Sequence, residues 1–350
     1  LTSPLFVIAT RDELWSRGAL LESRRGCGEA RSDGRGSVAR DACDLSLRER
    51  CDSRFAPLRE IARGLTDARV RIVASVRSIG GSIVDEETLT IGMRGVSIVT
   101  TPEHAAEDAA HLRALVAIEP EATVGKAADF VWLGGSGAVL LHEAIGHAAE
   151  HEHPRDRVPP WLSVHDEPPF AVDDTGAQTA TTDLLRQPPR CLRRESFRDV
   201  PLPRMTALVA RQDGAPFALP PSRIDIHLLA GGAYDPLTEV VTINVAIADR
   251  IDGQRVTRLQ PFVIRESRDR VLASIAGATG HPIRYPGVVC SREGQELVVA
   301  SHAPIIVMRM TRYEVRGTRY EGLMPNVSGR EATRTSYLVP RTWSALRTVK

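Results

Sequence analysis

The sequence predicts an α+β fold: a smaller N-terminal α/β region, residues 1–125, and a C-terminal domain, residues 126–350, dominated by antiparallel sheet and carrying one chemically loaded helix. Three observations lead there. Helical periodicity is concentrated before residue 150, whereas strand-like alternation dominates from about residue 205 onward. The stretch "EVVTINVAIADRIDGQRVTRLQPFVI" reads as a hairpin turning at Asp252–Gly253. Helices and strands are thus segregated along the chain, the pattern of mainly antiparallel sheet.

Taken in order, "LFVIAT" reads as a short strand and "RDELWSRGALLESRR" as a helix. Residues 26–41, rich in Gly, Ser and Arg with little apolar period, read as a loop or disordered segment. "RFAPLREIARGL" has helical spacing through Leu58, Ile61 and Leu65. From Val70, Ile72 and Ala74 to Ile91 and Met93 the chain alternates, broken by Gly80–Gly81, which predicts strands and a hairpin. "TPEHAAEDAAHLRALVA" is a helix started by Thr101 or Pro102. A boundary falls in "EPEATVGKAAD", and "ELVVASHAPIIVMRMTRYEV" continues the strand pattern towards the C-terminus.

Composition excludes several functions. A net charge of +1 argues against a nucleic-acid binder that works by bulk electrostatics. Lys126 and Lys350 are the only lysines, and "TVGKAAD" suits neither a phosphate loop nor a Schiff base. The five cysteines are odd in number and form no CxxC, so no disulfide framework is expected. With no signal peptide and no apolar run long enough to span a bilayer, a reducing cytoplasm and no membrane are expected. "GGSGA" misses the GxSxG nucleophile elbow by Ala138, so its glycines are read as shaping a strand-to-helix turn.

The informative stretch is "GAVLLHEAIGHAAEHEHP", residues 137–154, which sets His142, Glu143 and His147 among apolar helix residues. Buried polar groups cost free energy unless something satisfies them, and a metal ion is one candidate. In the familiar HExxH helix the histidines lie four apart on one face. Here they lie five apart, so on an ideal α-helix their side chains diverge by about 140°. A local π-type turn would bring them into register, and Gly146 would ease it. Glu143 stands where HExxH enzymes hold the carboxylate that takes a proton from water. Spacing leaves the third ligand open among His151, His153, Cys191, His227, Cys290 and His302.

"VLLHEAIGHAAE" resembles the signature of the TldD/PmbA metallopeptidase family. So do "RRESFRDVPLPRMT" (193–206) and "GVVCSREGQELVV" (287–299), in the family's order, with the "YDPLTEVVTINVAIADRIDGQRV" hairpin between the last two. The likeness spans about residues 128–310; the N-terminal third is shorter than usual. It implies zinc bound by His142, His147 and Cys290, with Glu143 as general base. A peptide or unfolded protein would be the substrate, and the assembly a homodimer or a heterodimer with a paralogue. Within the middle block, Arg193 and Arg194 are candidate substrate clamps, or a solvent-facing pair with Glu195. Departures fall on His151 and Glu152, on Ala207 and on Arg292, away from the implied ligands, and so bear on substrate choice. A non-catalytic scaffold subunit and a metal-assisted amide hydrolase of a biosynthetic pathway are the alternative functions.

Overall fold

The computed structural model describes residues 6–30, 45–79, 81–125, 128–151, 158–193, 201–292, 295–310, 314–317 and 333–336. The fold class is the expected one, helices beside a large, mainly antiparallel sheet.

The N-terminal region differs from expectation at its start. Instead of a helix, residues 11–25 belong to a hairpin of β1 (Phe6–Ser16) and β2 (Ala19–Ala30). Its turn sits on Arg17 and Gly18, both at positive φ, the geometry that joins twisted strands in two residues. The physical reason lies in which residues face inward. Ala9, Arg11, Glu13 and Trp15 alternate into the interior with a period of two. The two charged members meet there, Arg11 Nη2 lying 3.3 Å from Glu13 Oε1, and Glu13 also accepts from the Trp15 indole at 3.1 Å and from Arg59 Nε at 3.0 Å. Read without that partner, the same charges look like the wet face of a helix. Gly26–Ala30 continue β2, and residues 31–41 of the expected loop lie outside the described residues.

β1 pairs also with β3 (Arg69–Ile79), which pairs with β4 (Ser82–Met93), and β4 with β5 (Val96–Thr100), all antiparallel. The predicted alternation holds, with Val70, Ile72, Ala74 and Val76 fully buried along β3. Helix α1 (Leu45–Gly64) covers this sheet with Leu47, Cys51, Phe55, Leu58 and Ala62, a single face at helical spacing. A 3₁₀ turn, Pro102–His104, leads into α2 (Ala105–Val116) as predicted.

The C-terminal sheet places the chemically interesting segments side by side. Strand Ala128–Trp132 runs parallel to Ser222–Asp235 and antiparallel to Gln295–Met310. Gln295–Met310 forms a long hairpin with Ile275–Arg292, in which Cys290 faces Leu297. Val240–Asp252 and Arg255–Arg258 form the predicted hairpin, with Gly253 at φ 63° in the turn. Ala207–Gln212 bridges Leu162–Asp166 and Gln295–Met310. One continuous apolar core runs from the α1 face through Trp132 and the loaded helix to Met308. Among the described residues no helix is long and apolar enough to cross a membrane.

Candidate metal centre

Strand Ala128–Trp132 delivers the chain into a tight turn in which Gly134 and Gly135 have φ of 55° and 78°. A Cβ on Gly135 would lie 2.4 Å from the Ile283 carbonyl oxygen, so the turn is pressed against the neighbouring strand. Only glycine allows both the left-handed backbone and that approach. Ser136 donates to the Ile226 carbonyl at 3.1 Å, and the helix begins at Gly137. Every residue from Gly137 to Glu150 is buried.

His142–His147 is a π turn within that helix, the deformation that brings residues five apart into register. It brings the two imidazoles edge to face with ring centroids 4.7 Å apart. Gly146 contributes space: a Cβ there would meet Met205 Sδ at 2.2 Å. Arg268, itself buried, donates from Nε to the Ala144 carbonyl inside the turn at 2.7 Å. Glu143 is fully buried, its Oε2 3.8 Å from His147 Nε2. The side chain lies against Gly232, where a Cβ would meet Glu143 Cγ at 2.7 Å.

Of the possible third ligands, the structure brings in Cys290. One donor atom each from His142, His147 and Cys290 lies within 4.8 Å of the others, and all three residues are buried. Cys290 Sγ is 3.4 Å from His147 Nε2. Tetrahedral zinc with ordinary ligand lengths separates sulfur from nitrogen by about 3.6 Å, so the pair needs little adjustment. Among the described residues, and Cys290 apart, neither ring nitrogen of His142 has a hydrogen-bond partner, although the residue is fully buried. Buried polar groups are normally partnered, so these two atoms call for an occupant. The donor set also suits a borderline-soft cation. Burial pushes the Cys290 thiol up, but the charges of His147, Arg204 and His142 outweigh it and hold the group well below the ordinary thiol range. Burial likewise opposes charge on His147, yet Cys290, Glu150 and Glu143 raise it well above the usual imidazole value. The pair thus favours thiolate and imidazolium, and a bound metal would take the place of that proton.

Around the triad lies a buried network that the sequence reading missed. Glu150 Oε2 is 3.0 Å from His147 Nδ1, while its Oε1 accepts from the Met205 amide at 2.9 Å. Burial opposes the Glu150 charge, but His147, Arg204 and Arg292 hold the carboxyl far below the usual range. Arg204 Nη2 donates to Cys290 Sγ and to the Cys290 carbonyl, both at 3.1 Å. Asp166 Oδ1 accepts the Thr206 and Ala207 amides at 2.8 Å, fixing the segment after Arg204. A signal for Glu150 was present, since three residues after His147 it shares that histidine's helix face. Arg204, in "PLPRMT", carries no local pattern that marks it.

The other expected site residues lie elsewhere. Arg193 is 2% exposed, with its guanidinium 3.1 Å from Glu86 and 3.7 Å from Asp174 and stacked over Phe170 at 4.5 Å. Those partners hold it inside the molecule; neither a substrate clamp nor a solvent-facing partner of Glu195 describes its surroundings. Arg194 and His153 lie outside the described residues. His227 pairs with Asp249 at 3.0 Å on another part of the sheet. Burial pushes the Cys191 thiol up to about 12, the opposite of a ligand's tendency.

No family model matches the chain, and neither does any curated protein sequence. Solved structures do. A candidate modulator of DNA gyrase from Thermotoga maritima superposes with a TM-score of 0.51 at 9% identity, over 89% of this chain and 94% of that one. TldE from Thermococcus kodakarensis gives 0.48 at 10% identity, over 89% and 96%. A candidate modulator of DNA gyrase from Bacteroides thetaiotaomicron gives 0.45 at 11%, over 87% and 94%. At such identities the likeness is one of fold alone.

Proposed function

We propose that this chain is a zinc-dependent peptidase acting on short or unfolded peptides. The observation that carries the reading is the convergence of His142, His147 and Cys290, with both His142 ring nitrogens buried and, among the described residues, without a hydrogen-bond partner other than Cys290. The Thermotoga fold and the three ordered sequence blocks support it. These three residues would hold the ion, and Glu150 would orient His147 through Nδ1. When bound, zinc supplies Lewis acidity, polarising a peptide carbonyl and making water nucleophilic at neutral pH. Glu143 takes the proton from the attacking water and returns it to the leaving amine. Its burial beside Gly232 holds the carboxylate in place and excludes bulk water from that exchange. Pairing with a second copy or a paralogous chain belongs to this reading and rests on the family resemblance.

One specific observation favours a second reading. Cys290, His147 and Glu150 line up at 3.4 and 3.0 Å, the order of a thiol nucleophile, its base and an orienting carboxylate. That account gives His142 and Glu143 nothing to do, so the metal reading uses more of the site.

Metal analysis of the purified protein and peptide hydrolysis by Glu143→Gln test the proposal together. The expected result is one zinc per chain in both proteins, with hydrolysis in the variant lowered by about 10²–10⁴-fold. Full activity in Glu143→Gln would remove the base from the account. Cleavage that survives chelation yet stops on thiol alkylation would establish the thiol reading instead.

A further inference from the structure

We propose that Arg204 is a positioning residue for the sulfur ligand: its guanidinium sets the orientation and electron density of the Cys290 thiolate and couples it to the carboxylate that holds His147. This rests on the zinc reading above, and concerns a residue on neither the helix nor the cysteine's strand.

A fully buried arginine is costly unless its charge and its N–H groups are met. Among the described residues, the following partners of Arg204 belong to the site. Nη2 gives one hydrogen to Cys290 Sγ and one to the Cys290 carbonyl. Nη1 donates to Gln295 Oε1 at 3.2 Å, on the strand that pairs with that of Cys290 and opposite Arg292. Nε lies 3.4 Å from Glu150 Oε1, and the other oxygen of that carboxylate meets His147. One planar group therefore touches the surroundings of both a helix ligand and the strand ligand. An ammonium lacks the rigid fork to do this.

The backbone around Arg204 is held on consecutive residues. The Arg204 amide donates to Cys191 O at 2.9 Å, the Met205 amide to Glu150, and the Thr206 amide to Asp166. The side chain thus starts from a fixed origin, as a preorganised ligand shell requires. A charged N–H···S bond draws electron density from the thiolate. The sulfur then donates less to the ion, which keeps more of its Lewis acidity.

Cobalt(II) substitution reads this directly, because thiolate-to-cobalt charge transfer absorbs at an energy set by the sulfur's electron density. Wild type, Arg204→Gln and Gln295→Leu would be titrated with cobalt(II), and folding checked by circular dichroism. Arg204→Gln is expected to move the band to longer wavelength and to weaken cobalt binding about 10–100-fold. Gln295→Leu, which frees Nη1, is expected to move it the same way by less. An unshifted band in folded Arg204→Gln overturns the inference, even if affinity falls, because a merely structural role would leave the sulfur unchanged. Should Arg204→Gln not fold, Gln295→Leu decides on the same criterion. A wild type with no thiolate-to-cobalt band sinks the zinc reading itself, an outcome distinct from an unshifted band.

Discussion

At the residue scale, Asp166 shows how burial and hydrogen bonding compete. Burial raises its carboxyl from 3.8 to about 6, even though its Oδ1 accepts two backbone amides. A carboxyl whose pKa rises on folding binds protons more tightly in the folded state. Between about pH 4 and pH 6 the unfolded chain has already ionised while the folded one has not, so stability falls as pH rises through that window and then levels. Asp166→Asn keeps an acceptor oxygen but cannot titrate. Urea unfolding at pH 4 and pH 7 is expected to show wild type losing on the order of 2–3 kcal/mol relative to the variant over that interval. Parallel stability–pH curves for the two proteins would show that Asp166 does not carry the effect.

At the element scale, the π turn depends on close packing as much as on backbone geometry. Alanine is the better helix former by about 1 kcal/mol, so propensity alone predicts that Gly146→Ala stabilises. The space argues otherwise. The new methyl would sit 2.2 Å from Met205 Sδ, in a core where Met205 is fully buried and its amide is bonded to Glu150. Overpacking of this kind typically costs about 1–3 kcal/mol, which outweighs the propensity gain. Gly146→Ala is therefore expected to destabilise. Adding Met205→Ala is expected to recover part of the loss, giving a double-mutant coupling of about 1 kcal/mol in denaturant melts. Additive effects would place the glycine's role elsewhere.

At the scale of the whole molecule, a buried ionic cluster joins the N-terminal sheet to the segment between the histidine helix and Arg204. Arg77 on β3 and Arg193 both approach Asp174 and flank Phe170, and Arg193 also bonds Glu86 on β4. The Arg193 carbonyl accepts from Gln295, which in turn receives Arg204. Removing one member of such a cluster leaves buried charge less compensated, at a cost of about 3 kcal/mol. Arg193→Met is expected to lower the melting temperature while leaving the KM for a peptide substrate unchanged. A raised KM at unchanged stability would return Arg193 to the role of substrate clamp.

What the amino-acid order determined was local. The His142–His147 spacing called for a π turn if both imidazoles were to face one ion, Gly134 and Gly135 announced the turn before it, and alternation marked β3 and the Val240–Arg258 strands. Each is a property of neighbours a few residues apart, where periodicity and backbone sterics act. Tertiary structure decided whatever depends on a distant partner. Of the six candidate third ligands it set Cys290 beside His142 and His147 by pairing its hairpin beside the helix, and it turned the charged residues of β1 inward because Arg59 meets Glu13 there. It also assembled Glu150, Arg204 and Gln295 from segments up to 145 residues apart. A charge's partner is set by folding, and nothing local in "PLPRMT" reveals that its arginine has a thiolate waiting.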